Sequence, residues 1–261
     1  YFSDPAVREA YLGTKWTGPG RGQINELVEV KAADLRVEKG ELVCLLGPSG
    51  CGKSTLLKII AGFSSADSGQ LLKNKKQIEA AGLDRIMLFQ DFEQLFPWQK
   101  VIENISFAVK AAAKNKKCKL TKAEIREKSL KYLSEVKLED YHNYYPHQLS
   151  GGMKQRAALA RTLAAEGKIM LMDEPFGSVD SQTRQELQEL LVQLWQEEER
   201  TIIFVTHDIR EAVFLSERIV LMKNEPGEIL EVVENKLPHP RRRSSSEFNL
   251  LFEQLQSQLE N

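Results

Sequence analysis

Two kinds of apolar pattern alternate along the chain. Short uninterrupted runs, bounded by glycine or charge, read as buried strands. Longer stretches with an apolar residue every three or four positions read as helices. Leu42–Leu46 (LVCLL) is of the first kind, flanked by glycines as a buried parallel strand is. A helix is predicted from near Lys53 through LLKIIAG. Ile169–Met172, Ile202–Thr206 and Ile219–Met222 repeat the strand pattern. A helix over Arg184–Glu198, with Leu187, Leu190, Leu191 and Leu194 as its buried stripe, separates the first two. Strands alternating with helices predict an α/β fold on a parallel sheet with right-handed crossovers. Residues 91–165 read as a mostly helical insertion into it, with a capping box at Thr121 and Glu124.

The ends carry weaker patterns. Val7–Trp16 is expected to hold a short strand, Thr17–Gly22 (TGPGRG) a flexible loop, and Val28–Val37 a strand ending at Glu38-Lys39-Gly40. Toward the C-terminus, Arg241–Arg243 and Ser244–Ser246 read as a linker. Phe248, Leu251, Phe252, Leu255 and Leu259 follow at helical spacing, a stripe expected to dock on the parent domain.

Composition narrows the function classes. The chain has 261 residues, 42% hydrophobic and 28% charged, the proportions of a globular protein with a sizeable core. A net charge of −1 makes no electrostatic case for a nucleic-acid partner, and the lysines from Lys110 to Lys122 read as a solvated surface. Three scattered cysteines fit neither a disulfide framework nor a zinc site, so reduced cytosolic thiols are expected. No apolar run approaches the roughly 18–20 residues of a membrane span, and no signal-peptide pattern opens the chain. If the protein serves a membrane, it is expected to do so as a peripheral subunit.

Three clusters carry chemistry. Gly47-Pro48-Ser49-Gly50-Cys51-Gly52-Lys53-Ser54, followed by Thr55, fits the phosphate-binding loop pattern G-x-x-x-x-G-K-[ST]. Glycines at 47, 50 and 52 let backbone amides approach a phosphate chain, and the helix that follows aims its positive end at it. Lys53 then reaches the β and γ phosphates and Ser54 offers a hydroxyl to Mg2+. Cys51 is expected to be a reactive thiol, favoured as thiolate by the helix N-terminus. The second cluster, IMLM-Asp173-Glu174, ends a strand in two carboxylates: Asp173 to hold Mg2+ through water, Glu174 to polarise an attacking water. The third, Ser150-Gly151-Gly152, opens a helix and makes a second anion-binding N-terminus.

Leu149–Arg156 (LSGGMKQR), after a phosphate loop and just before Met172-Asp-Glu-Pro175, resembles the signature motif of the ATP-binding-cassette (ABC) ATPases. The resemblance spans about residues 28–230 and implies a P-loop NTPase core with an inserted α-helical subdomain. It also implies a head-to-tail dimer in which each ATP lies between one subunit's phosphate loop and the partner's Ser150, Gly151, Gly152 and Gln155. Gln90 corresponds to a glutamine that senses Mg2+ and the γ-phosphate, with Mg2+ held by Ser54, Gln90 and Asp173. Asp180 corresponds to the loop that crosses the dimer interface, and His207 to the histidine that contacts the γ-phosphate. Where the family places an adenine-stacking aromatic this chain has Ile24, and Trp16 is the substitute candidate. The implied division is an unassigned segment 1–27, a nucleotide-binding core of 28–90 and 166–232, a helical subdomain 91–165, and a C-terminal linker and helix 233–261.

A single cassette with neither fused membrane helices nor a long coiled coil resembles an importer subunit. A separate-chain exporter or extraction ATPase, and a non-transport ABC ATPase, are the alternatives. FQDFEQLFPW at Phe89–Trp98 resembles the nitrate, sulfonate and taurine importers, whose group includes bicarbonate and cyanate systems. Expected partners are a second cassette, identical or paralogous, transmembrane permease subunits and an extracytoplasmic solute-binding protein, at the cytoplasmic face of the membrane. Phe92, Leu95, Phe96 and Trp98 are divided between two expectations, core of the helical subdomain or a groove for the membrane subunit.

Overall fold

A computed structural model describes residues 35–90, 94–177, 179–198, 200–224 and 227–260. The expected strand at Val7–Trp16, the loop at Thr17–Gly22, Trp16 itself and Phe92 lie outside them, as does most of the expected Val28–Val37 strand. The described end of that stretch, 35–37, is not in a strand. The described residues form two compact units, one within 35–38, 42–85 and 203–260, the other within 39–41 and 86–202.

The first unit is built on β1 (Leu42–Leu46), whose five residues are all buried. In the strand order, β1 lies between β6 (Thr201–Thr206) and β7 (Arg218–Lys223), with β8 (Glu228–Glu234) outside β7. β1 and β7 run parallel with Val43 opposite Arg218, while β8 returns antiparallel to β7, with a bulge at Leu221/Met222. Helix α1 (Lys53–Ala61) follows β1 and stops at Gly62, whose φ of 80° suits glycine. A Cβ there would also meet the Ala80 carbonyl carbon at 2.5 Å. A small hairpin, β2 (Leu72–Lys73) and β3 (Lys76–Gln77), lies further along.

Helices α6 (Ile209–Leu215) and α7 (Ser246–Glu260) pack on each other, and α6 also packs on β1. The docking expected of the C-terminal helix is observed: Phe248 and Leu255 are fully buried, while Leu251, Phe252 and Leu259 are half-exposed. The expected linker before it is not one. Arg241 is buried, and its guanidinium donates to the carbonyl oxygens of Val213, Phe214, Ser216 and Leu237 at 2.7–3.2 Å. A helix leaves its last carbonyls without intrahelical partners, and Arg241 supplies donors for those at the end of α6. Burial brings the Arg241 pKa down to about 10, so it stays cationic at neutral pH, and burial followed by the Arg241 charge pushes His239 down to about 4. Arg243 covers the Phe214 ring at 3.6 Å. Arg241→Ala would strand several buried acceptors at about 1–3 kcal/mol each. The melting temperature is therefore expected to fall by about 5–10 °C, read by calorimetry; a shift under about 2 °C would mean that water replaces the guanidinium.

The second unit pairs β4 (Arg85–Leu88) with β5 (Ile169–Asp173) as sheet neighbours. Its helices α2 (Val101–Asn115), α3 (Lys122–Glu135) and α4 (Gly151–Ala164) pack on one another. The capping box forms as expected, with Thr121 N–H donating to Glu124 at 2.7 Å and Glu124 N–H to Thr121 Oγ1 at 3.3 Å. Helix α5 (Ser181–Glu198) starts three residues earlier than its apolar stripe implied. Within that stripe Leu187, Leu191 and Leu194 are buried and Leu190 is half-exposed. The lysine-rich stretch is largely exposed, and Lys116 pairs with Glu166.

The turn before α2 is organised by the fully buried Asn104. Its Oδ1 accepts from Phe96 N–H at 2.8 Å, and its Nδ2 donates to the carbonyls of Phe96, Gln99 and Lys100. Leu95 and Phe96 point inward at 3% and 7% exposure, whereas Trp98 is 59% exposed. Phe96 rests against Phe107 and Trp98, with Arg161 over its ring at 5.6 Å. Of the two expectations for this stretch, Leu95 and Phe96 meet the first, and of its described apolar residues only Trp98 offers a surface.

Candidate functional site

The phosphate loop leaves β1 at Gly47 and enters α1 at Lys53. Its glycines do different jobs. A Cβ on Gly47 would meet the Met222 carbonyl oxygen at 2.4 Å, so this glycine permits the loop to pack on β7 rather than to approach a phosphate. Gly50 and Gly52 have φ of 88° and 94°, the left-handed region where side chains are strained. A Cβ on Gly50 would meet nothing within 4 Å, so its conformation and not its space requires glycine. Pro48, Ser49 and Gly50 are exposed, and Asn224 donates to the Ser49 carbonyl at 3.3 Å.

Helix α1 begins with no side-chain cap and no acidic residue in its first turn, so its N-terminal dipole is left for an external anion. Lys53 is 4% exposed, and its ammonium donates to the carbonyls of Gly47 at 2.8 Å and Pro48 at 2.7 Å. A cation held on neutral acceptors is undercompensated, which suits it to a polyphosphate. Ser54 and Thr55 sit half-exposed in the same turn. Cys51 corrects an expectation: it is 1% exposed, with Sγ 3.8 Å from the Lys53 ammonium and 3.0 Å from where a Gly47 Cβ would stand. The thiol is packed beneath the loop, where a reagent cannot reach it without opening the fold; Cys118 is exposed.

His207 stands in the same unit, exposed, immediately after β6. Its neighbours are pinned. Asp208 caps α6, accepting from Arg210 N–H at 2.8 Å and Glu211 N–H at 3.4 Å. Cys44 in β1 links the two features: burial first, then the Glu211 carboxylate, push its thiol well above the ordinary value, with Lys53 opposing and Asp208 adding. The loop lysine and the His207 turn therefore act on the same buried strand. Thr206, Asp208 and Glu211 were not among the expected site residues. The signal was present as Asp208-Ile-Arg-Glu211, the spacing of a capping box.

Gln90, Ser150, Gly151, Gly152, Gln155, Asp173, Glu174 and Asp180 belong to the second unit. Asp173 is buried at the end of β5. Glu174 follows with φ of 44°, a conformation uncommon outside glycine, and its carbonyl accepts from Gly177 N–H at 3.2 Å. Such an outlier persists where the surroundings over-determine it, and here two neighbours hold the following loop. Gln155, buried on α4, donates from Nε2 to the Pro175 carbonyl, and Arg184 donates to Phe176 at 3.2 Å and Val179 at 3.1 Å.

Ser150 caps α4, accepting from Met153 N–H at 3.3 Å. The Cα of Gly151 faces open space, whereas a Cβ on Gly152 would press on Thr183 at 2.9 Å. Asp180 caps α5 through Thr183 N–H at 3.0 Å, and that bond holds its exposed carboxyl below the usual range. Gln90 is exposed just past β4. Asp173, Gln90 and Ser54 are hard oxygen donors of the kind Mg2+ selects. Among the described residues no group of three or more His, Cys, Asp or Glu is placed to hold a metal ion.

The comparisons with known proteins converge. The ABC transporter family model matches residues 30–177. An ABC transporter ATP-binding protein of Methanocaldococcus jannaschii is 45% identical, over 84% of this chain and 80% of its own length. An aliphatic sulfonates import ATP-binding protein of Bacillus cereus is 43% identical, over 87% and 86%. A nitrate import ATP-binding protein of Synechococcus elongatus is 42% identical, over 84% and 78%. Among solved structures, a dimeric ATP-binding cassette in a post-hydrolysis state with ADP and Pi superposes with a TM-score of 0.68 at 32% identity, covering 78% of this chain and 89% of that one. A cassette from Clostridium perfringens, part of the cbiONQ ABC transporter complex, gives 0.69 at 29% identity, over 80% and 82%. With its phosphate loop, its acid-tipped β5 and the glycine-rich start of α4, the chain belongs to the ABC transporter family as one of its ATP-binding subunits.

Proposed function

We propose that this chain is the ATP-hydrolysing subunit of an importer for a small anion, of the kind that sulfonates and nitrate represent. The observation that carries the reading is the uncapped N-terminus of α1 beside the Lys53 ammonium, in a chain 42–43% identical to the two importer subunits. The nucleotide-binding core comprises 28–90 and 166–232, the helical subdomain 91–165, and 233–261 a C-terminal extension. Gly47 to Thr55 cradle the phosphates of ATP. Ser54, Gln90 and Asp173 hold Mg2+, which when bound neutralises charge on the leaving and transferred phosphates. Glu174 accepts the proton of the attacking water, and His207 orients it against the γ-phosphate.

Ser150, Gly151 and Gly152 face the ATP of a second cassette, with Asp180 at the same interface. Gln155 acts from behind them, on the Pro175 carbonyl. ATP favours the closed dimer because the Ser150 turn gains phosphate contacts only there. The dimer works on transmembrane permease subunits fed by a solute-binding protein, and the chain sits peripherally at the cytoplasmic face of the membrane. No helix among the described residues is long and apolar enough to cross a membrane.

Trp98 is the exposed aromatic that best suits docking to a permease helix. Trp98→Ala is expected to leave the ATPase rate of the isolated subunit within about twofold of the parent, since the side chain is exposed and is not among the residues named for hydrolysis. In vesicles reconstituted with its permease and solute-binding protein, uptake of an alkanesulfonate or nitrate is expected to drop by about tenfold or more, the loss of roughly 1.4 kcal/mol or more of contact. Full uptake by the variant would remove Trp98 from the interface. ATP-driven uptake of neither anion by the parent would remove the substrate class.

A further inference from the structure

The turn that carries His207 is closed by a ring of hydrogen bonds. Asp208 N–H donates to Thr206 Oγ1 at 3.0 Å. An amide only donates, so this bond uses an oxygen lone pair of Thr206 and leaves its O–H to donate to Glu211 Oε2, at 2.6 Å. Glu211 N–H closes the ring on Asp208 Oδ1 at 3.4 Å. His207 is the residue between the two anchored ones, and its own side chain is exposed outside the ring.

The cost of this arrangement argues that it does more than cap a helix. Glu211 is buried, and so is Thr206. Burying a carboxylate is expensive unless the position needs it. Helix α6 already has Asp208 at its start, with a 2.8 Å bond to Arg210 N–H, and Arg241 at its end. Glu211 fixes the Thr206 hydroxyl, and through it the peptide on both sides of His207.

We propose that Glu211 is a positioning residue for ATP hydrolysis, acting through Thr206 to hold the backbone of His207 so that the imidazole meets the γ-phosphate without searching. The proposal rests on the role given to His207 above. Misplacing a catalytic group by about an ångström costs up to about 100-fold. Glu211→Ala is therefore expected to lower kcat by about 10- to 100-fold with the KM for ATP unchanged, because the phosphate loop is not part of the ring. Glu211→Gln, which keeps an acceptor oxygen for Thr206, is expected to recover most of that loss. Thr206→Val removes the hydroxyl while keeping a β-branched side chain in the strand, and serves if Glu211→Ala does not fold; its kcat is expected to fall as far.

The deciding measurement is a double-mutant cycle on the ATPase rate of the purified subunit. If Glu211 works through His207, Glu211→Ala brings no further loss in a His207→Ala background. The same fractional loss in both backgrounds, or no recovery by Glu211→Gln, would overturn the proposal and leave Glu211 a general support of the fold. A His207→Ala protein that hydrolyses ATP at the parent rate would overturn the role of His207 itself, and this proposal with it.

Discussion

Glu174→Gln is expected to slow ATP turnover by about 100- to 10,000-fold, the usual worth of a general base, while ATP affinity stays within about twofold. The amide keeps the size of the carboxylate and can hold a water, but it cannot accept the proton that the water loses. Nothing else in the binding apparatus changes: Lys53 remains on the Gly47 and Pro48 carbonyls, and α1 keeps its open N-terminus. The substitution also keeps the backbone. Glu174 sits at φ of 44°, where Asn and Asp are enriched but long side chains are uncommon, and glutamine meets the same restriction as glutamate. Glycine would relax it, so Glu174→Gly would confound lost chemistry with a loosened loop. A Glu174→Gln protein retaining more than about a tenth of parent activity would mean that another group takes the proton.

The second large effect falls on binding. Lys53→Ala removes the ammonium proposed to face the phosphates in the ground state, and it also strands the Gly47 and Pro48 carbonyls that the ammonium now satisfies. A charge-assisted hydrogen bond in a sheltered site is worth about 1.5–3 kcal/mol, so ATP affinity measured by calorimetry with Mg2+ present is expected to weaken by about 10- to 100-fold. Lys53→Arg is not a rescue. Its planar fork needs more room than a compact ammonium, and the loop packs closely over Cys51 at that point. Unchanged affinity in Lys53→Ala would place the phosphates elsewhere.

Much of this was legible in the sequence because it is written in short contiguous pieces. The phosphate loop, the acids after IMLM and the glycine-rich start of α4 each need only neighbours in the chain. So do the strands with uninterrupted apolar runs, β1, β5, β6 and β7. Strand β8 was missed because its pattern, EILEVVE, mixes charge into both faces; Leu230, Glu231 and Val232 are all exposed on it. The β2–β3 hairpin is too short and polar to leave a periodic signal.

Other features depend on residues far apart in sequence. The need for glycine at 47 comes from Met222, and Gln155 reaches Pro175. Arg241 looked like linker charge because nothing local says that the end of α6 lies beside it. Cys51 looked reactive because its helix N-terminus is visible in the sequence and its burial is not. The exposure of Trp98 beside the inward Leu95 and Phe96 is likewise a property of the Asn104-built turn, not of the apolar run.

In the proposed mechanism ATP is hydrolysed between two cassettes, one supplying the Lys53 loop and the other the Ser150 turn. The most direct test is the specific ATPase activity of the purified subunit across a range of protein concentrations, with sedimentation under the same conditions. Specific activity is expected to rise with concentration as ATP-bound dimer accumulates. Ser150→Arg, which leaves the phosphate loop of its own chain intact, is expected to bind ATP but stay monomeric and inactive. A specific activity that stays constant where sedimentation shows only monomers, or a Ser150→Arg monomer that hydrolyses ATP at the parent rate, would rule out hydrolysis between two cassettes.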